Sequence, residues 1–182
     1  MSLSFRDILM RKLTHKEIVT RQKEKLIEPR LPLSVVLNDI RSLYNVGSIF
    51  RTADGAGVEK IWLCGITGYP PQKDIHKTAL GAEESVAWEY RKDIIAVLEE
   101  FKKKNYHIVL LEQMEGSIPY QQFSIKRPVC LIVGNEITGI SDEILSYCDS
   151  SIDIEMAGVK NSLNVSVAFG IIAYHFRREI YL

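Results

Sequence analysis

The sequence predicts an α/β fold with a mainly parallel sheet flanked by helices. Short apolar runs rich in β-branched residues alternate with segments of helical periodicity, the pattern of strands joined by crossover helices. The runs are apolar throughout rather than at every second residue, as strands covered on both faces are. No repeat, low-complexity tract or linker interrupts the 182 residues, and 46% hydrophobic content is enough to fill one core. A single domain spanning residues 1–182 is therefore expected.

Residues 1–30 read as a basic helical extension packed on that domain. Phe5, Ile8, Leu9, Leu13 and Ile18 form one apolar stripe, and eight basic residues stand against four acidic ones. Such a segment suits either a solvated helix face or an arm that contacts phosphates. Pro29 and Pro32 end the helical pattern. Residues 34–37 form a first buried strand. Asn45 is then placed to cap a helix beginning near Val46, and Gly47 keeps its first turn narrow enough for another group to approach the backbone. Arg51, about two turns in, suits contact with a phosphate or ribose, or simple exposure.

Gly55 and Gly57 close that helix, and residues 60–64 form a second strand. A Gly/Pro-rich loop follows and carries His76 and Lys77, toward either an anionic ligand or solvent. Residues 86–90 suit a strand. Residues 93–104 suit an amphipathic helix with Ile94, Ile95, Leu98 and Phe101 on one face. Residues 106–111 form another buried strand, in which His107 is structural. Pro128 introduces a strand that ends in Gly134, Glu136 and Gly139, a sharp turn at a C-terminal strand edge, where open α/β sheets bind ligands. Ser141 caps a helix over 142–147.

The densest polar cluster lies at the last junction. A strand over 151–154 gives way to a loop with Gly158, then to a helix opening at Ser162 that is almost entirely apolar. Junctions of this kind expose free backbone N–H groups. This one is either an ordinary helix end capped by Ser162 or half of a ligand site.

Composition removes several classes. The chain carries 23 basic and 23 acidic residues, so a nucleic-acid partner has to be held by a local patch. Cys64, Cys130 and Cys148 have no CxxC spacing and read as buried or partly buried thiols of a reducing compartment. No cleavable leader and no membrane span is read, and a cytoplasmic location is expected. The sequence has no G-x-G-x-x-G after the first strand, no Walker loop, no G-x-S-x-G and no ligand cluster at metal spacing. Dehydrogenase, P-loop NTPase, α/β-hydrolase and metalloenzyme readings lose their support.

Three blocks, in order, resemble one family. Asn45-x-Gly47-x-x-x-Arg51-x-Ala53, Ile132-Val133-Gly134-x-Glu136-x-x-Gly139, and Ile154-x-Met156-x-Gly158-x-x-x-Ser162-Leu163-Asn164-Val165-Ser166-Val167-Ala168 are similar to motifs 1, 2 and 3 of the SpoU (TrmH-like) RNA ribose 2′-O-methyltransferases, of the SPOUT superfamily. The resemblance runs from about Ser34 to about Phe176. It implies a C-terminal deep trefoil knot, an exception to the rule against knotted chains, and S-adenosylmethionine bound bent within the knot. It also implies a homodimer with the active site near the subunit interface. The matching cofactor-binding positions are Leu111, Gly134, Ile154, Met156 and Leu163. Arg51, Asn45, Glu136, Ser162 and Asn164 match the polar active-site positions, with Arg51 as the main catalytic residue and no metal. Many members carry proline where this chain has Glu155.

The implied substrate is a ribose 2′-OH of tRNA or rRNA. A non-catalytic knot module that binds RNA or an adenosine-type ligand is the alternative, and the intact polar set favours the enzyme. Methyl transfer to an alcohol needs in-line approach and loss of the hydroxyl proton. An arginine is a poor base, since its pKa lies above about 12, so either Arg51 is strongly perturbed or it orients phosphate while another group takes the proton. The last helix supports the dimer independently. Its apolar residues, among them Leu163, Val165, Val167, Phe169, Ile172 and Tyr174, fall on all sides, so a partner subunit is expected to cover the face turned from the core.

Overall fold

The computed structural model describes residues 11–25, 29–126, 128–135 and 139–181. The chain divides into two compact units, Met1–Arg30 and Leu31–Leu182. In the first, α1 spans His15–Lys25 and opens on a capping box. The Thr14 amide donates to Glu17 Oε2 at 2.8 Å, and the Glu17 amide donates back to Thr14 Oγ1 at 3.4 Å. Arg11 pairs with the same carboxylate and holds it down at about 2. Of the predicted stripe, Ile18 is exposed and Leu13 half-buried, and Phe5, Ile8 and Leu9 lie outside the described residues.

The second unit is built on seven strands: β1 (Leu31–Asn38), β2 (Val58–Cys64), β3 (Ala87–Arg91), β4 (His107–Leu111), β5 (Ile118–Pro119), β6 (Val129–Val133) and β7 (Ser150–Asp153). They form one sheet in the order β3-β2-β1-β6-β4-β7-β5, and every pair is parallel. The register runs Leu33↔Val129 to Leu37↔Val133, Leu110↔Ile132 and Leu111↔Ile152. β1, β6, β4 and β7 consequently end together along one edge, and the loops that leave them are neighbours.

The strand side chains alternate between two cores. Leu33, Val35 and Leu37 pack with Phe50, Phe169 and Phe176 of α2 (Leu43–Ala56) and α7 (Val165–Tyr181). Val36, Ile108 and Ile132 pack with Val97, Leu98 and Phe101 of α5 (Ile94–Lys103). Burial on both faces is why the strands carry no polar alternation, and the predicted α/β class with a parallel sheet follows. Gly57 closes α2 in the left-handed conformation (φ 74°) and donates its amide back into the last turn, as Gly57 was expected to. Asp93 caps α5 through a 2.8 Å bond from the Ile95 amide. Ser141 precedes α6, which is shorter than predicted, Asp142–Leu145. His107 is structural, its ring 2.7 Å from Ser150 Oγ on β7.

The stretch read as a Gly/Pro loop differs. It contains α3 (Lys73–Ala79) and α4 (Ala82–Ser85), too short to show a helical period. His76 and Lys77 therefore sit on a helix rather than a loop. Each is matched with an acid, His76 Nδ1 to Glu83 Oε1 at 2.5 Å and Lys77 Nζ to Asp74 Oδ1 at 2.9 Å. Neither is the uncommitted cation an anion site needs. β5, two residues long, also escaped the sequence reading.

Burial accounts for the sulfur and phenol chemistry. It pushes the Cys64 thiol up to about 12, the Cys148 thiol to about 11 and Cys130 well above its ordinary range. Burial, then the bond to Glu59, pushes Tyr106 to about 12. All four raised groups stay neutral in the fold to a higher pH than in the unfolded chain. Their contribution is complete below about pH 9 and is lost as pH rises toward about 12. Urea midpoints are expected to fall across that window, and native-state labelling with an aromatic disulfide should modify Cys148 before buried Cys64 or Cys130.

Candidate active site

The aligned strand ends open into a cavity of about 590 Å³. The end of β4 and the loop after it supply Leu111 and Glu112, the turn after β6 supplies Gly134 and Asn135, and residues 153–165 close it with Ile154, Met156, Ser162 and Leu163. The five residues expected around the cofactor, Leu111, Gly134, Ile154, Met156 and Leu163, thus share one wall. Ile140 packs against the bare side of Gly134, where a Cβ would lie 2.6 Å from Ile140 Cδ1 and the isoleucine would have to turn away. The turn closes where the Gly139 amide donates to the Asn135 carbonyl at 3.1 Å, with Gly139 at φ 64°. Glu136 falls inside this turn and lies outside the described residues.

Two helix starts differ from expectation. α2 begins at Leu43, and Ser42 rather than Asn45 is its cap, its Oγ accepting from the Asn45 amide at 3.3 Å. The Asn45 side chain is thereby released to face another element: its Oδ1 accepts from Asn164 Nδ2 at 3.1 Å. α7 begins at Val165 rather than Ser162, and Asn164 caps it. Asn164 Oδ1 accepts from the Ser166 amide at 2.9 Å and from Ser166 Oγ at 2.7 Å. Ser162, freed of the cap, lies on the cavity wall. The structure brings Asn45 and Asn164 together across 119 residues, and Ser162 precedes Asn164 by two positions. Arg51 stands exposed on α2 and is not part of the cavity wall.

Sequence reasoning missed the group that fixes these loops to each other. Asp39, at φ 56° just after β1, accepts from the Ile66 amide at 2.9 Å through Oδ1 and from Asn135 Nδ2 at 2.9 Å through its carbonyl. One residue thus ties the β1–α2 loop to the loop after β2 and to Asn135 after β6. An aspartate that accepts the left-handed conformation directly after a strand was the available signal.

Asn164 is both cap and bridge, so Asn164→Ala is expected to cost about 1 kcal/mol of stability from the cap alone. Turnover should fall by more than that loss explains, because Asn45 loses its partner. Thermal melts beside single-turnover rates check the separation.

Fold and site together define a class: a parallel α/β protein whose ligand cavity is walled by the loops after three adjacent central strands and by the segment leading into its last helix. The SpoU rRNA Methylase family matches residues 32–174, and the chain belongs to this family. It is 31% identical over 172 residues to the tRNA (guanosine(18)-2′-O)-methyltransferase of Aquifex aeolicus, covering 94% of this chain and 81% of that protein. To the Escherichia coli protein of the same name it is 28% identical, covering 86% of this chain and 67% of the other. The crystal structure of the A. aeolicus TrmH/SpoU tRNA modifying enzyme superposes with a TM-score of 0.78, covering 90% of this chain and 83% of that one. The AdoMet-bound rRNA methyltransferase from Sinorhizobium meliloti gives 0.74 at 27% identity, covering 87% and 60%.

Proposed function

We propose that the protein is an S-adenosylmethionine-dependent methyltransferase acting on a ribose 2′-OH of tRNA or rRNA in the cytoplasm. The observation that carries this reading is the 590 Å³ cavity at the C-terminal strand edge, next in sequence to an Asn164–Asn45 bridge, in a chain of this family. The residues present fit the cofactor. Leu111, Ile154, Met156 and Leu163 offer apolar surface for the adenine and the methionine arm. Gly134 lines the cavity with main chain alone. When bound, the cofactor supplies a methyl group on a sulfonium.

Everything else falls to the protein: Arg51 orients the phosphate beside the target ribose, and Asn45, Ser162, Asn164 and Glu136 hold the sugar and the moving proton. The same reading includes a trefoil knot at the C-terminal end. Support comes from the strand order, in which β6 enters between β1 and β4, and from the cavity, which residues 153–165 complete. It includes a homodimer through α7, where Phe169, Ile172 and Phe176 are buried while Val167 and Tyr174 are about half exposed. Sedimentation that finds only monomer at micromolar concentration would count against the dimer. With His76 and Lys77 matched to acids, the basic first thirty residues are the stronger choice for phosphate contact. Among the described residues no acid, histidine and cysteine cluster could hold a metal, and no helix is long and apolar enough to cross a membrane.

The test is incubation with methyl-labelled S-adenosylmethionine and bulk RNA, followed by nucleoside analysis. Label in a 2′-O-methylnucleoside is the expected result. Binding of cofactor and RNA with no transfer would replace the enzyme by the non-catalytic binding module.

A further inference from the structure

A second cavity, of about 530 Å³, lies away from the first, and nothing in the methyl-transfer reading uses it. Its size is that of a small-molecule site. One wall is Trp88 with the rings of Pro70 and Pro71. The indole is held in place, edge-on to Phe50 at 6.5 Å and stacked on Tyr69 at 6.5 Å and 28°. The opposite character comes from Glu83 and Glu84. Glu83 is only 10% exposed and gives one oxygen to His76. Its other oxygen, Oε2, is buried and has no hydrogen-bond partner. Lys73 also lines this cavity.

We propose that this cavity is a nucleobase subsite for the RNA, taking one unstacked base that carries an exocyclic amine from a nucleotide near the methylated one. The inference rests on the RNA reading above. Flat apolar faces receive a planar ring whatever its identity. The acids select an edge that donates: an exocyclic amine that displaces the exposed His76 ring from Glu83 takes over that contact and uncovers the second oxygen, whereas uracil offers a single N–H between two carbonyl oxygens that the same acids repel. Lys73 meets the phosphate of that nucleotide. Position supports the assignment as well. α3 forms the cavity wall through Ile75 and packs on the first turn of α2, where Thr78 Oγ1 donates to the Tyr44 carbonyl at 3.0 Å. Asn45 follows directly. This cavity is therefore separated from Asn45 by about one helix diameter, about 10–12 Å, a span that a few nucleotides of single strand cover.

The test uses the whole chain with S-adenosylhomocysteine saturating the first cavity. The indole N–H resonance of Trp88, told apart from that of Trp62 by a Trp62→Phe variant, is followed as AMP, CMP, UMP or ribose 5-phosphate is added. AMP and CMP are expected to move it saturably, UMP far more weakly, and ribose 5-phosphate not at all. Lys73→Ala and Glu84→Gln, both at exposed positions, are expected to keep cofactor affinity and to raise the Kd for bulk bacterial tRNA about tenfold. A Trp88 resonance that no nucleotide moves overturns the subsite, as does tRNA binding by both variants that equals the wild type. Conversion of a dimer to monomer by either variant also overturns it, because the cavity is then a subunit contact. Methyl transfer by the wild type beside an unmoved Trp88 resonance removes only this inference. No methyl transfer to any RNA removes the function on which it rests.

Discussion

Replacing Arg51 by alanine is expected to lower single-turnover methyl transfer by about 10²-fold or more while leaving the Kd for S-adenosylmethionine within about twofold. The two readouts separate because Arg51 stands exposed on α2 and is not part of the cavity proposed for the cofactor. A guanidinium keeps its charge at any working pH, so the role proposed for it is to grip the phosphate and hold the 2′-oxygen in line. Lysine at this position keeps the charge and loses the two-pronged grip. Arg51→Lys should therefore recover only part of the rate. Wild-type turnover in the alanine variant would remove Arg51 from the mechanism, and a parallel loss of cofactor binding would make its role structural.

The second large effect is expected at Gly47, where alanine should destabilise the fold by about 1–3 kcal/mol and slow the reaction together. A Cβ there would sit 2.2 Å from Thr78 Oγ1 and 2.3 Å from the Ile75 carbonyl oxygen. The hydroxyl can rotate away, but the carbonyl belongs to the backbone of α3, so the helix itself has to move. That movement breaks the Thr78–Tyr44 bond and shifts the turn that carries Asn45. Thermal melts should show about 2–4 °C lost per kcal/mol for a chain of this size. A variant that melts as the wild type does would mean that α3 is not packed on α2 this closely. Gly47 was read in the sequence as leaving room for something to approach the backbone, and the approaching group is α3, not a ligand.

That outcome shows what kind of inference a sequence permits. Runs such as residues 129–133 announce themselves because a strand buried on both faces has no polar position. Gly57 announces itself because it meets a local stereochemical demand. The five residues of the cavity wall were found together because three local blocks, each at the end of a strand or the start of a helix, stand in the right order. α3, α4 and β5 were not found, since elements of two to seven residues show no period.

The same distinction runs through the candidate site. The sequence by itself determined the α/β class, the buried strands, the family and the residue types that face the cavity, because these depend on composition and spacing within a few turns of chain. Only the tertiary structure decided which side chains meet. Two residues of equal capping propensity, Ser42 and Asn45, stand at the start of α2; Ser42 takes the cap, and the Asn45 side chain meets Asn164, 119 positions later. Asn164, not Ser162, caps α7, and Ser162 lies on the cavity wall. Asp39 joins three loops, and His76 and Lys77 lose their freedom to Glu83 and Asp74. A hydrogen bond between distant segments is set by the register of the sheet that brings them together, and no local propensity encodes it.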